Sequence, residues 1–298
     1  MSAMYDPADI AVAIDIQQLD CVLVAVVALY LFDYALNFDA EVAYILSGKF
    51  SITKCLYLAC RYLPIALAGV QWPTNFASNI NMDDCAVLLS LNLWLTVTIL
   101  CCSEGIFLCR VYALWGCSKR ILMILLSSFM ITLIPVIVIM GNSQASMTVS
   151  DLLTEVSPLI TGNCFPEPPD QTYFMSYVLL LLFEAEIFLF TAYRVHIHYR
   201  HERGYLLKVM AKHGIFYFIF ALLFSLTNIL VIFLLPTYYC ATFGVLQALS
   251  QALLVTRMQL QLWTADQDSS SASLPLTSTI AFAMPEEGME LMSRTSRE

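Results

Sequence analysis

Apolar residues in this chain come in long blocks separated by short polar stretches, rather than at the spacing of a half-buried helix or strand. A helix needs about 20 mostly apolar residues to cross a bilayer. Blocks of that size cover Gln17–Leu36, Thr53–Trp72, Asp84–Arg110, Ile121–Met140 and Thr172–Tyr193. From Gly214 to Thr256 no formal charge interrupts 43 residues. As one helix this stretch would be about 65 Å long, twice the hydrocarbon thickness. Pro236 followed by Thr237, Tyr238 and Tyr239 is the natural break. The pattern therefore predicts an all-α fold, a polytopic transmembrane bundle of seven helices. Residues 17–262 form the membrane domain, 1–16 a short extracellular segment and 263–298 a cytoplasmic tail.

Composition agrees and removes alternatives. Only 12% of the residues are charged and 59% are hydrophobic, against about 25% and ~45–50% in soluble domains. A soluble enzyme, a nucleic-acid binder and a disordered scaffold are excluded, and the lipid bilayer becomes the first partner. Basic residues collect on the cytoplasmic side of membrane proteins. With seven crossings all 14 fall on one side. Lys49, Lys54 and Arg61 follow the first helix. Arg110, Lys119 and Arg120 follow the third, and Arg194, Arg200, Arg203, Lys208 and Lys212 follow the fifth. Arg257, Arg294 and Arg297 open and close the tail. The N-terminus is thus expected outside and the C-terminus inside, with the plasma membrane preferred over internal membranes. The N-terminus has neither a basic segment nor a small-residue cleavage site, so no signal peptide is read. Clustered Ser, Thr, Pro and Glu mark the tail as disordered, with Ser293, Thr295 and Ser296 as candidate phosphorylation sites.

Disulfides form on the oxidising side, where this topology puts Cys21, Cys85, Cys164 and Cys240. A Cys85–Cys164 bridge would tie the long fourth loop to the start of the third helix. Free thiols, or a Cys21–Cys240 pair, remain the alternatives. Ionisable groups within spans are expensive and suggest function. Arg61, Glu104, Glu184 and Glu186 are the intramembrane candidates. A charge-assisted pair between Arg61 and Glu104 would lower the cost of burying both. Glu184 and Glu186 are about 200° apart around one helix and cannot face one point. Trp94, deep in the third helix, is expected to pack on neighbouring helices. Asn92, Asn228 and Gln247 are candidates for bonds between helices.

His196, His198 and His201 lie among basic residues without a cysteine or acidic cluster, so they read as a headgroup-facing loop, not a metal site. No H-E-x-x-H, G-x-S-x-G, P-loop or dinucleotide-binding turn occurs, and no lysine lies in the last helix for a Schiff base. Neither an enzyme nor a bound cofactor is expected.

The stretch Phe32–Pro64 carries Asp33-Tyr34, Glu41-Val42, Lys49 with Phe50-Ser51, Lys54, Leu56 and Arg61-Tyr62. It resembles the N-terminal signature of a basidiomycete integral-membrane family catalogued as a domain of unknown function. That family usually has a tryptophan where this chain has Leu46. Segments after Arg110, from Leu206 to Phe220 and around Arg257 are similar to the same family's. The resemblance implies seven helices, fungal origin and no assigned activity. A looser likeness is to the rhodopsin-like receptor plan: Cys85 atop the third helix, and Arg110-Val-Tyr112 at its inner end. Against it, Cys109 stands where that plan has an acid, and neither Asn-Pro-x-x-Tyr nor Cys-Trp-x-Pro is present. The expected function is receptor-like sensing or signalling of an unidentified ligand, with Arg110 and Tyr112 facing a cytoplasmic signalling partner. The alternative is a small transporter or ion or proton pathway through the intramembrane carboxylates.

Overall fold

A computed structural model describes residues 7–47, 51–76, 82–146, 171–201, 205–235 and 237–282. Seven helices appear among them: α1 (Pro7–Leu46), α2 (Ile52–Phe76), α3 (Met82–Leu114), α4 (Lys119–Ser146), α5 (Gln171–His201), α6 (Tyr205–Leu234) and α7 (Thr237–Phe282). The chain divides into two units, Met1–Met258 and Gln259–Glu298. The bundle described below is the first.

Among the described residues six helices are long and apolar enough to cross a membrane: Ile10–Leu46, Asp84–Leu114, Lys119–Asn142, Phe174–Ile197, Ile215–Leu234 and Tyr239–Ala265. The protein is therefore an all-helical, multi-pass integral membrane protein. α2 is not among the six, because Lys54, Arg61, Pro64, Gln71 and Pro73 dilute its hydropathy. Its polarity is confined to one side, however. Lys54, Tyr57, Cys60, Arg61, Pro64, Leu67, Gln71 and Thr74 recur every three or four residues and are all buried. The opposite face carries exposed Ile52, Tyr62, Ile65 and Trp72. α2 is thus amphipathic with its charges turned inward, the reverse of a helix on a soluble protein.

α2 packs on α3, and α5 packs on both α4 and α6. Gly105 of α3 allows the first contact, since the side chain of Leu56 lies 3.2 Å from where a Cβ would stand. α4 is the least enclosed span and shows Met123, Ile131, Ile134 and Val138 to the surroundings. α7 buries Val245, Ala248, Leu249, Ala252 and Val255. Between α3 and α4 the chain reverses in a Schellman turn. Gly116 and Cys117 adopt φ of 64° and 58°, and the Cys117 N–H donates to the Tyr112 carbonyl at 3.1 Å.

Several boundaries differ from expectation. The first helix was expected over Gln17–Leu36 but continues to Leu46, so Glu41 and Tyr44 are helical and buried instead of forming a loop. Apolar content marks only the part of a helix that meets lipid, and α1 goes on where its partners are polar. The break in the long uncharged stretch falls between Leu234 and Thr237, with Pro236 itself outside the described residues. α7 runs on to Phe282, past the expected start of the tail, and residues 283–298 lie outside the described residues. Trp94 is 38% exposed. It faces outward, which corrects the expectation that it packs between helices.

Candidate functional site

Two buried polar clusters lie within the first unit. In the first, Arg61 of α2 reaches back to α1. Its Nη1 donates to Asp33 Oδ2 at 2.9 Å and its Nε to Glu41 Oε2 at 3.0 Å. Arg257 of α7 donates to the other Asp33 oxygen. Arg61, Asp33 and Glu41 are almost fully buried, whereas the Arg257 side chain is 43% exposed. Two carboxylates thus face two guanidinium groups, and the cluster carries no net charge. Aromatic residues complete it. The Tyr30 hydroxyl donates to the Arg61 carbonyl at 2.7 Å, and the Tyr30 and Tyr34 rings lie 5.8 and 5.0 Å from the Arg61 guanidinium. Nearby, Lys54 donates to the Ile45 and Ser47 carbonyls at the end of α1. It also lies 5.4 Å from the Tyr44 ring. The last turn of α1 leaves carbonyls without helical partners, and a cation suits them.

The second cluster links α3, α5, α6 and α7. Gln251 Nε2 donates to Glu104 Oε1 at 2.5 Å and lies 3.3 Å from Glu184 Oε1. The two glutamates thus converge on one amide nitrogen. Gln247 Nε2 donates to Ser225 Oγ at 2.6 Å, and Asn228 donates to Gln247. Glu104, Glu184, Gln247, Gln251, Ser225 and Asn228 are all buried. Among the described residues no cation pairs with either glutamate.

The second cluster borders a cavity of about 70 Å³ between α3, α4 and α5. Its wall is apolar apart from Glu104, Ser176, Thr96, Thr132 and the Tyr177 hydroxyl. Glu104 Oε2 and Ser176 Oγ are buried without a hydrogen-bond partner among the described residues.

The sequence candidates are thus sorted. Arg61 and Glu104 do not pair with each other, a correction to the simplest way of neutralising both. Arg61 belongs to the first cluster and Glu104 to the second. Glu184 joins Glu104, while Glu186 turns away and accepts from Ser128 of α4, as their angular separation requires. Asn228 and Gln247 bond between helices as expected. Arg110 and Tyr112 lie in the last turns of α3, both half-buried. Beside them Arg194 of α5 donates to the Leu114 carbonyl at 3.3 Å and lies 5.3 Å from the Trp115 ring. Cys85 is buried and is not among the free thiols; the expected bridge to Cys164 lies outside the described residues. His196 is exposed, and no group of metal-ligating side chains occurs among the described residues.

Sequence reasoning passed over Glu41, Arg257 and Gln251 as site residues. Glu41 was legible only as part of the quoted signature. Gln247 and Gln251, four apart in the uncharged last helix, form one polar stripe that was available to read.

Residues 21–66 match a family of unknown function, DUF6533. The matched stretch holds Asp33, Glu41, Lys54 and Arg61, three of the four charges of the first cluster together with the lysine that caps α1. No curated protein matches the chain, and no solved structure does.

Proposed function

We propose that this protein is a receptor-like sensor of a fungal plasma membrane, without enzymatic activity, that reads a small ligand in the bundle and signals at its basic end. In this reading seven helices cross the bilayer, with the N-terminus outside and the C-terminus inside. The observation that carries it is the cavity beside Glu104. Occupancy there meets a side chain bonded through Gln251 to α7, and α7 is tied by Arg257 to Asp33 and so to Arg61. A shift of α7 is then felt at both clusters. In this reading α7 is the element whose two positions would couple them. Arg110, Tyr112 and Arg194 lie at the helix ends that would meet a cytoplasmic partner. A second reading, a small transporter or an ion or proton pathway, is favoured by the convergence of the Glu104 and Glu184 carboxyl groups on the Gln251 amide.

Complementation of a deletion strain tests the first reading against the second. Arg110→Ala is expected to abolish the response to an external signal, because it alters the face offered to the partner. Full complementation by Arg110→Ala together with failure of Glu184→Gln would replace sensing by transport.

A further inference from the structure

The two buried clusters differ in charge. Around Arg61, two carboxylates meet two guanidinium groups. Around Gln251, two carboxyl groups meet only amides and hydroxyls among the described residues. A charge within a bilayer is costly unless it is paired, and among the described residues the second cluster has no positive partner such as the first one has.

The adjoining cavity is where that partner fits. Glu104 and Ser176 line it, and Glu104 Oε2 and Ser176 Oγ are buried without a hydrogen-bond partner among the described residues, although buried polar groups are as a rule hydrogen-bonded. Phe129, Phe183 and Leu133 are among the residues that line it. Aromatic rings favour a cation, and the aliphatic wall favours an alkyl chain. Pockets for drug-sized ligands run to ~300–1,000 Å³, and an apolar cavity of ~150 Å³ accepts benzene. At about 70 Å³ this one suits a chain of a few carbons.

We propose that the cavity binds a small primary alkylammonium ion, with its charge against Glu104 and its alkyl chain along the apolar wall. The N–H donors satisfy Glu104 Oε2, and the positive charge offsets the acidic pair. This names the ligand class of the sensor proposed above and rests on that reading.

The experiment uses the full chain in lipid nanodiscs, with thermal unfolding followed at neutral pH. n-Butylamine hydrochloride is compared with n-butanol, which has nearly the same shape and no charge. The amine is expected to raise Tm saturably, while the alcohol at equal concentration does not. Glu104→Gln is expected to weaken amine binding at least about tenfold, as loss of a charge-assisted bond does. Ser127→Ala, whose exposed hydroxyl donates to the Ile124 carbonyl within α4, should bind as the natural protein does. Equal shifts from amine and alcohol, no shift at all, or an undiminished amine effect in Glu104→Gln would each overturn the proposal. The amine–alcohol comparison on the natural chain holds even if a variant fails to fold. Absence of amine binding while Arg110→Ala still abolishes signalling removes the ligand class and leaves the sensor. Amine binding with a fully active Arg110→Ala leaves the site and removes the sensor.

Discussion

Arg61 shows how one side chain organises a region of the protein. It is 1% exposed and bonded to two carboxylates, so replacing it with leucine leaves Asp33 and Glu41 buried, with only the half-exposed Arg257 near them. Removing one member of a buried ion pair costs about 3–5 kcal/mol. Arg257→Leu should cost far less, about 0–1 kcal/mol, because that side chain is 43% exposed and its pairing is screened. Thermal unfolding of the two variants in nanodiscs should rank them in that order. Adding Asp33→Leu and Glu41→Leu to Arg61→Leu should recover much of the loss, since a packed apolar triad replaces orphaned charge. Equal effects of Arg61→Leu and Arg257→Leu would mean that the cluster is not the buried unit described. An arginine in an apolar block was legible as expensive, but its partners were not. Asp33 lies 28 positions away and Glu41 stood in what reads as a loop. Hydropathy reports how much apolar surface a residue's neighbours offer, and is silent about which distant acid reaches it.

At the level of the helices, close approach is set by small residues. A Cβ on Gly244 of α7 would lie 2.7 Å from the Tyr177 hydroxyl of α5, well inside contact distance. Tyr177 also lines the cavity. Gly244→Ala must therefore push the ring aside, at about 1–3 kcal/mol for overpacking, and disturb the wall on which the ligand rests. Tyr177→Phe removes the colliding oxygen, so the double variant should be more stable than Gly244→Ala alone. A cycle in which the two effects simply add would show that this contact is not what limits the approach. Helix existence was well legible, because every long apolar block became a helix. Helix ends were not, since α1, α4 and α5 run on beyond their apolar blocks. The hydrogen-bond ladder of a helix does not stop where the lipid does.

For the whole molecule the open choice is between six crossings and seven, and it turns on α2. Six would leave both termini on one side of the membrane; seven puts them on opposite sides. Average hydropathy counts against α2, but it sums over two unlike faces. The charges of α2 are spent on the end of α1 and its carboxylates, and its outward face is Ile52, Tyr62, Ile65 and Trp72. At 25 residues it is about 37 Å long, enough for a ~30 Å hydrocarbon core. Basic residues agree with this. If α2 does not cross, Lys49 and Lys54 stand on one side and Arg110, Lys119 and Arg120 on the other, against the usual segregation. A bundle with α2 spanning needs no such exception. Cys117, exposed in the turn between α3 and α4, gives the measurement. A membrane-impermeant maleimide applied to intact cells should leave it unmodified, and should label it once the cells are permeabilised. A reporter fused after Glu298 should likewise be protected from outside. Seven crossings predict protection at both positions. Six would leave those two positions on the same side as the N-terminus, so that all three are accessible in intact cells or none is. Protection of both together with an accessible N-terminus is the one pattern that a spanning, inward-charged α2 produces.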